Sequence, residues 1–420
     1  MSQPAEADVV NLRGGQETKD LYEVGEIPPL GHVPENMYAW VIRKDRHGEP
    51  DQAMQEEVVP TPELDSHDVL IMVMAAGVNY NAVWAALGTP VSVLDFHGGE
   101  YHVAGSDAAG VVWAVGSKVT RWKVGDEVVV HCNQDDGDDE ECNGGDPMFS
   151  PSQRVWGFEA PDGSLAQFAR VQDRQCMKRP PHLTWEESAC YTLVLATAYR
   201  MLFGHRPHIL RPGHNVLVWG ASGGLGSMAI QIVAAAGANA IGVISDPERA
   251  DFVKQLGAVG VINRKDFNCW GQLPTVNTEE HKTWMKEVKK FGKAIWQYTE
   301  GTNVDFVFEH PGEQTFPVSA FVAKRGGMIV FCAGTTGYNL TFDARFVWMR
   351  QKRIQGSHFA NLMQASQANK LVIDRRVDPC MSEVFTWEDI PRAHTKMLKN
   401  EHKPGNMAVL VQSKRPGLRT

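Results

Sequence analysis

The stretch Asn-Val-Leu-Val-Trp-Gly-Ala-Ser-Gly-Gly-Leu-Gly, from Asn215 to Gly226, decides the fold. Val216 to Trp219 is a short apolar run, typical of a strand that is buried on both faces. Glycines then recur at a spacing of three, and the apolar segment from Met228 to Ala236 can continue as a helix. Because glycines let backbone N–H groups approach closely and a helix N-terminus favours negative charge, the pattern predicts a pyrophosphate site. The residues expected to form it are Gly220, Ser222, Gly223, Gly224, Leu225 and Gly226.

The next strand indicates which dinucleotide binds. Ala240 to Ser245 predicts a second buried strand, which completes a βαβ unit. An NAD enzyme carries a carboxylate at the end of this strand, for the ribose 2′-hydroxyl. Here Ser245 ends the strand and Arg249 follows one helical turn later, and both suit a 2′-phosphate. Asp246 argues for NAD, but Asp246-Pro247-Glu248 is also typical of a helix N-cap. The sequence therefore favours NADPH.

Composition limits the class of protein. The 420 residues predict two or three domains, and a formal net charge of −9 argues against nucleic acid as the main partner. The chain opens without an apolar signal segment, and its most apolar stretch is explained as helix plus strand, so we expect no membrane span. Seven widely spaced cysteines without a C-x-x-C pair predict free thiols in a reducing cytoplasm. The acidic run from Asp135 to Glu141 is consecutive, which favours a solvated loop over a calcium loop.

The residues before the nucleotide-binding stretch predict a second kind of domain. Residues 1 to 36 lack periodicity and are expected to form an arm that either wraps the body or stays mobile. Short strands separated by turn signals follow, among them Val69 to Ala75, Val111 to Val115 and Val128 to Val130. Strands at this density predict a compact β-rich barrel.

The order of these parts resembles the medium-chain dehydrogenase/reductase superfamily over about residues 37 to 412. Gly110, Val115-Gly116, Gly125-Asp126 and the glycine turn all lie at family positions. The resemblance implies an α/β protein with a GroES-like, β-rich catalytic domain and a doubly wound, parallel-sheet Rossmann domain. The expected bounds are 1–36 for the arm, 37–190 for the catalytic domain, 191–345 for the NADPH domain and 346–420 for the return to the catalytic domain.

Zinc enzymes belong to this superfamily, so the metal ligands have to be sought. Where their Gly-His-Glu element would fall, this chain has Ala104-Gly105-Ser106-Asp107, and only Cys132 and Cys142 lie in the region of the structural zinc lobe. Two cysteines alone cannot build a tetrahedral zinc site. We therefore expect no metal, with His131 and Cys132 as the alternative ligands.

Five further stretches resemble the zinc-free crotonyl-CoA carboxylase/reductase family more narrowly. They run from Gly77 to Gly88, from Arg154 to Glu159, from Val307 to Gly312, from Phe331 to Tyr338 and from Ile354 to His358. The resemblance implies that NADPH delivers hydride to the β-carbon of an enoyl-CoA and that the resulting enolate attacks CO2, so that crotonyl-CoA gives ethylmalonyl-CoA. It also implies a homo-oligomer, a tetramer or dimer. One alternative is an NADPH-dependent enoyl-CoA reductase of the acrylyl-CoA type, and a second is a nonenzymatic NADPH-binding protein.

The resemblance assigns four residues to the chemistry. Asn81 and His358 would donate hydrogen bonds to CO2, Phe158 would keep water from the enolate, and Glu159 would orient His358 or a water beside it. Each also has a structural explanation: Asn81 as a helix cap, Phe158 as core, His358 as a turn residue and Glu159 as a surface residue. For the CoA phosphates the candidates are the basic residues Arg350, Lys352 and Arg353, which could equally belong to a solvated helix face or contact a neighbouring subunit.

Overall fold

A computed structural model describes residues 18–419, which form two compact units. The first contains the described residues up to Leu193, Asn361–Ile373 and those from Pro379 onward. The second contains Val194–Ala360 and Asp374–Asp378. Among the described residues, no helix combines the length and the apolar character that crossing a membrane would require.

The first unit is organised around a strand that is buried along its whole length, β3 (Asp68–Gly77). It pairs antiparallel with β5 (Ala108–Val115), β9 (Phe168–Gln172) and β18 (Asn406–Leu410). With β6 (Glu127–Val130), β10 (Cys176–Lys178) and β17 (Met381–Phe385), the sheet has the order β10-β6-β5-β3-β18-β17. The β-rich domain predicted from short strands is thus confirmed. The other strands of its first portion are β1 (Asn36–Ile42), β2 (Gln55–Pro60), β4 (His102–Val103), β5 (Ala108–Val115), β6 (Glu127–Val130), β7 (Asn133–Gln134), β8 (Arg154–Val155), β9 (Phe168–Gln172) and β10 (Cys176–Lys178). Its helices are α1 (Pro50–Ala53), α2 (Tyr80–Leu87), α3 (Leu94–His97) and α4 (Trp185–Ala189).

The described part of the N-terminal arm packs against this unit. Tyr22 is buried, its carbonyl accepts from Gln167 Nε2 at 3.1 Å, and Trp113 Nε1 donates to the carbonyl of His32 at 2.7 Å. Of the two expectations for the arm, wrapping therefore holds from residue 18 onward, whereas residues 1–17 lie outside the described part.

After α5 (Thr192–Phe203), the second unit forms a parallel sheet of order β13-β12-β11-β14-β15-β16. β11 is flanked by β12 and β14, so the strand order reverses beside it, which is where doubly wound folds bind nucleotides. The predicted Rossmann domain is confirmed. Its strands are β11 (Asn215–Val218), β12 (Asn239–Ile244), β13 (Gly260–Asn263), β14 (Val304–Glu309), β15 (Ala323–Phe331) and β16 (Arg353–Gly356), and its helices are α6 (Gly224–Ala235), α7 (Ala250–Gln255), α8 (Glu279–Trp296), α9 (Phe316–Val322) and α10 (Ala344–Trp348).

The chain then returns to the first unit later than the sequence suggested. The expected boundary at 345 is wrong by fifteen residues, because β16 pairs with β15 and keeps the chain in the parallel sheet as far as Ala360. The elements that follow are α11 (Leu362–Ile373), β17 (Met381–Phe385), α12 (Ile390–Leu398) and β18 (Asn406–Leu410).

Candidate active site

The glycine turn of the second unit has the geometry of a nucleotide-binding turn. Gly220 has a φ of +55°, and α6 begins directly after Gly223, its N-cap. A side chain on Gly226 would collide with the carbonyl of Gly220, so only glycine lets the turn close against the helix. Gly223, Gly224 and Leu225 are partly exposed at the helix N-terminus, whereas Ser222 is buried. The chain therefore fits a dinucleotide pyrophosphate here, held by backbone N–H groups and the positive end of the helix dipole.

At the end of β12 the structure bears on the choice between NADPH and NADH. Ser245 is exposed, and Asp246 caps the short 3₁₀ helix Pro247–Arg249 by accepting from the Glu248 N–H at 3.1 Å. The predicted capping role of Asp246 is therefore confirmed. Arg249 Nε lies 3.6 Å from the Asp246 carboxylate, and Arg249 follows Ser245 by four residues in the same short segment.

Hydrogen bonds of two residues that the sequence did not assign to the site, Glu309 and His310, stabilise the segment next to this turn. His310 Nε2 lies 3.0 Å from the carbonyl of Trp219, and a Cβ on Gly220 would lie 2.7 Å from that same nitrogen. Beside it Glu309 is fully buried, and burial raises the pKa of its carboxyl to about 7. Its oxygens accept from the Gly312 N–H at 3.1 Å, from Thr315 Oγ1 at 2.7 Å and from Ser319 Oγ. The available signal was the position of Glu309 and His310 at the carboxyl end of a predicted parallel strand.

In the first unit, Asn81 is part of α2 rather than its cap. Asn79 occupies the N-cap position, so the capping alternative for Asn81 is wrong. The Asn81 side chain is buried and its Nδ2 donates to Ser106 Oγ at 3.2 Å, while Asn79 Nδ2 donates to Asp107 Oδ2 at 2.9 Å. The loop before β5 thus binds two side-chain amides, those of Asn79 at the N-cap of α2 and of Asn81 in its first turn.

Asp107 is the buried acid of this loop. It accepts from the Leu193 N–H at 2.8 Å and from Asn79, it is hydrogen-bonded to Thr192 Oγ1, and burial raises its pKa to about 7. Thr192 Oγ1 also lies 2.7 Å from the carbonyl of Val130. These contacts tie the Ser106-Asp107 loop to the surrounding sheet, which fixes the direction in which Asn81 is presented.

The segment carrying Phe158 and Glu159 packs against the same loop. Gly157 has a φ of +73°, and a Cβ there would collide with the carbonyl of Gly105. The structure therefore brings the Asn81–Ser106 pair and the Phe158–Glu159 segment together within one unit. Phe158 is only partly buried, with its ring centroid 6.4 Å from that of Phe96, which argues against the core alternative.

Glu159 is anchored by its own loop. One of its oxygens, Oε2, accepts from the Val155 N–H at 2.9 Å, and burial raises the pKa of its carboxyl. Burial and the nearby carboxylates of Asp107 and Glu159 raise the pKa of the Cys132 thiol well above its usual range.

Within residues 18–419, one group of acidic and cysteine side chains brings its ligand atoms close enough together to hold a metal ion, and it lies in the acidic loop. It consists of Asp136, Asp139 and Cys142. The carboxylates already accept hydrogen bonds from Ser152 Oγ at 2.9 Å and from Ser150 Oγ at 2.5 Å. The solvated-loop interpretation explains these contacts without an ion.

His358 belongs to the second unit, apart in the chain from the other three candidate residues. His358 is an exposed residue whose ring packs against Phe359, with ring centroids 4.4 Å apart. Partial desolvation of the ring, together with the positive charge of Arg200, lowers the pKa of His358. The imidazole is therefore neutral at physiological pH. The neighbouring Ser357 Oγ lies 3.0 Å from His205 Nε2, which anchors the turn.

The basic residues suggested for CoA are not equivalent. Lys352 Nζ donates to the carbonyls of Ala320 and Phe321 at 2.7 and 3.1 Å, at the C-terminal end of α9. Burial lowers the pKa of Lys352 to about 8. Because its ammonium group donates to these two carbonyls, it stabilises the packing at the end of α9. Arg353 lies in β16 and donates to Gln355 Oε1 at 2.7 Å. Arg350 is exposed.

Comparisons with known proteins agree with this architecture. Residues 65–181 match the family model described as alcohol dehydrogenase GroES-like domain, and residues 224–374 match the one described as zinc-binding dehydrogenase. A crotonyl-CoA carboxylase/reductase of Cereibacter sphaeroides is 74% identical, over 96% of this chain and 94% of its own. A solved structure of the crotonyl-CoA carboxylase/reductase AntE in complex with NADP is 46% identical, with a TM-score of 0.91, covering 95% of this chain and all of that one. The 2-octenoyl-CoA carboxylase reductase CinF, solved with NADP and 2-octenoyl-CoA, is 36% identical, with a TM-score of 0.86, covering 92% and 90% of the two chains.

The two units and the nucleotide turn define an NADP-dependent oxidoreductase of the medium-chain dehydrogenase/reductase class. The chain belongs to the crotonyl-CoA carboxylase/reductase family. The resemblance drawn from the five sequence stretches is therefore confirmed.

Proposed function

We propose that the protein catalyses the NADPH-dependent reductive carboxylation of an α,β-unsaturated acyl-CoA, converting crotonyl-CoA and CO2 to ethylmalonyl-CoA. When bound, NADPH supplies a hydride to the β-carbon of the enoyl thioester. The α-carbon of the resulting enolate then forms a bond to the carbon of CO2. The observation that carries this proposal is the packing of the Asn81–Ser106 pair against the Phe158–Glu159 segment in one unit.

Asn81 is suited to hold CO2 by its hydrogen-bonding capacity. An amide nitrogen carries two hydrogens, and donation of one to Ser106 Oγ leaves the second for a CO2 oxygen. Because the first contact fixes the plane of the amide, the second N–H has a defined direction. A small, uncharged molecule with two acceptor oxygens can be held only by such preorganised donors.

His358 would provide the second donor. Its lowered pKa keeps the imidazole neutral, so that one nitrogen donates and the other accepts. A neutral ring can donate to CO2 without offering an acidic proton to the enolate. Glu159 has one oxygen bound to the Val155 N–H. The role proposed for its carboxyl is to orient His358 or a water beside it.

Phe158 would exclude water from the enolate. Its ring is partly exposed beside Phe96 and is not packed into the core, so it is available to cover a pocket. Protonation of the α-carbon by water would end the reaction at the saturated acyl-CoA, which makes exclusion of water decisive for the product.

The experiment that tests the proposal measures NADPH oxidation with crotonyl-CoA, with and without bicarbonate, followed by mass analysis of the thioester. Ethylmalonyl-CoA formed only with bicarbonate is the expected result. Butyryl-CoA under both conditions would establish the plain enoyl-CoA reductase instead. No substrate-dependent oxidation of NADPH would point to the nonenzymatic alternative.

We also propose that the protein works as a homo-oligomer, a dimer or tetramer, in the cytoplasm. β16 lies at an edge of the parallel sheet, and near it in the chain Trp348 and Met349 are 67% and 53% exposed. An open strand edge with exposed apolar side chains favours association. The free cysteines suit a reducing compartment. Light scattering on the purified protein checks the oligomeric state, since a mass near 46.5 kDa would indicate a monomer.

A further inference from the structure

The first unit contains two imidazoles in direct contact beside the loop of Phe158. His97 ends α3 and His102 begins β4, and their rings stack with centroids 5.3 Å apart. His97 Nε2 lies 3.1 Å from His102 Nδ1. His102 is fully buried and His97 is half-buried.

One main-chain donor fixes the direction of every hydrogen bond in this pair. The Gly99 N–H donates to His97 Nδ1 at 3.1 Å, so that nitrogen carries a lone pair and the proton of the neutral ring is on Nε2. His97 Nε2–H must then donate to His102 Nδ1. The proton of the neutral His102 ring is consequently on its Nε2, which lies 3.2 Å from the carbonyl of Gly157 and donates to it.

The same short segment reaches the Phe158 loop at two points. His102 holds the carbonyl of Gly157, the residue directly before Phe158. Phe96, which precedes His97 in α3, contacts the Phe158 ring at a centroid distance of 6.4 Å. Backbone and ring of the loop are therefore both supported from α3 and β4.

We propose that His97 and His102 are positioning residues for carboxylation: their neutral, hydrogen-bonded pair fixes the Gly157 carbonyl and thereby holds Phe158 and Glu159 at the CO2 pocket. The inference rests on the proposed function, because it assumes that Phe158 and Glu159 act on the enolate and CO2. Neither histidine touches the reacting atoms in this account.

The surroundings keep the pair neutral. Burial, with the positive charges that His97 and His47 would carry, lowers the pKa of His102 to about 3. Burial also lowers the pKa of His97, against an opposing effect of the Asp162 carboxylate, which Arg170 engages at 2.9 Å. An added proton on either Nδ1 would place two donors face to face and break the chain of hydrogen bonds.

The test is the ratio of reduced to carboxylated product with crotonyl-CoA at saturating bicarbonate. His102→Leu should raise this ratio about fivefold, the effect of one lost hydrogen bond on the geometry of the loop. His102→Gln should restore most of the wild-type ratio, since its amide can donate to the Gly157 carbonyl. A merely structural histidine would lower stability without changing this ratio.

A matched control is Trp122→Phe, which removes a ring N–H that donates to the carbonyl of Asp173 at 2.8 Å in the same unit. This variant should keep the wild-type product ratio. If His102→Leu does not fold, His97→Phe decides the matter, because the half-buried position accepts an aromatic ring that cannot donate to His102. We expect the ratio to rise in that variant too.

The outcomes separate the inference from the function beneath it. Wild-type protein that carboxylates, together with unchanged ratios in the folded His102→Leu or His97→Phe variant, would overturn the positioning role alone. Wild-type protein that forms no carboxylated product would overturn the proposed function and this inference with it.

Discussion

The buried carboxyl of Asp107 joins the loop before β5 to Asn79, Thr192 and Leu193 by hydrogen bonds. Thr192 Oγ1 contacts both Asp107 and the carbonyl of Val130. A hydroxyl has one hydrogen, so with Asp107 protonated the carboxyl can donate to Thr192, whose hydrogen then serves Val130. The raised pKa of about 7 is consistent with this arrangement, in which every polar group has a partner.

The raised pKa of Asp107 predicts a pH-dependent stability. Between the ordinary carboxyl pKa and about 7, the folded state binds a proton that the unfolded state has released, so this group's contribution to stability falls as pH rises. Its slope is at most about 1.4 kcal/mol per pH unit. Asp107→Asn should flatten the fall in unfolding free energy between roughly pH 4 and 7. Urea unfolding at a series of pH values measures it, and an unchanged slope in the variant would contradict the assignment.

Asn81 and His358 carry the next prediction. If they hold CO2 and not the thioester, Asn81→Leu or His358→Asn should move the product from alkylmalonyl-CoA toward the saturated acyl-CoA, while NADPH oxidation remains measurable. Loss of one donor corresponds to about a fivefold change in the ratio. Glu159→Ala should have the same effect more weakly, since it acts through its neighbours. Equal ratios in wild type and both variants would mean that CO2 binds elsewhere.

Arg249 tests the choice of cofactor. Its guanidinium lies 3.6 Å from the Asp246 carboxylate, in the segment directly after β12 where the ribose 2′-phosphate is expected. Arg249→Ala should weaken NADPH binding by about 1.5–3 kcal/mol and leave NADH binding nearly unchanged. Fluorescence titration with both nucleotides measures the difference. Equal losses would show that the 2′-phosphate is bound elsewhere.

At the scale of elements, the sequence predicted those whose signals are local. Thr184-Trp185-Glu186-Glu187 has the sequence pattern of a capping box, and the structure confirms it, with Thr184 and Glu187 bonding to each other's N–H groups. The same pattern predicts one helix that runs through Cys190 to Phe203, but the chain forms two helices, α4 and α5, because the Leu193 N–H and the Thr192 hydroxyl bind Asp107. Long-range partners of this kind leave no periodic trace in the sequence.

The close contact between the loops of Gly105 and Gly157 gives a prediction at the scale of elements. Gly157→Ala should destabilise the protein more than Gly213→Ala, although both glycines have a positive φ, +73° and +78°. Left-handed backbone alone costs a non-glycine residue about 1–2 kcal/mol, and space around Gly213 is open, whereas a methyl group added to Gly157 collides with the Gly105 carbonyl. Thermal unfolding compares the two. Equal shifts in Tm would mean that the loops separate without cost.

At the scale of the whole molecule, the order of domains could be predicted but not all the residues that serve each site. The nucleotide-binding turn and the β-rich domain could both be predicted, because local patterns of apolar residues and glycines specify them. The role of Lys352 could not be predicted, since it depends on where the end of α9 lies in the folded unit. The contact between Gly105 and Gly157 was equally hidden, because it joins residues some fifty positions apart.

The central claim, that one hydride transfer is coupled to capture of one CO2, is tested most directly with isotope-labelled bicarbonate. The measurement is the amount of label fixed in the acyl-CoA product for each NADPH oxidised, at saturating crotonyl-CoA and bicarbonate. We expect a ratio close to one, since the proposed role of Phe158 is to keep water from the enolate. A ratio near zero, with NADPH oxidation continuing and butyryl-CoA accumulating, would contradict it.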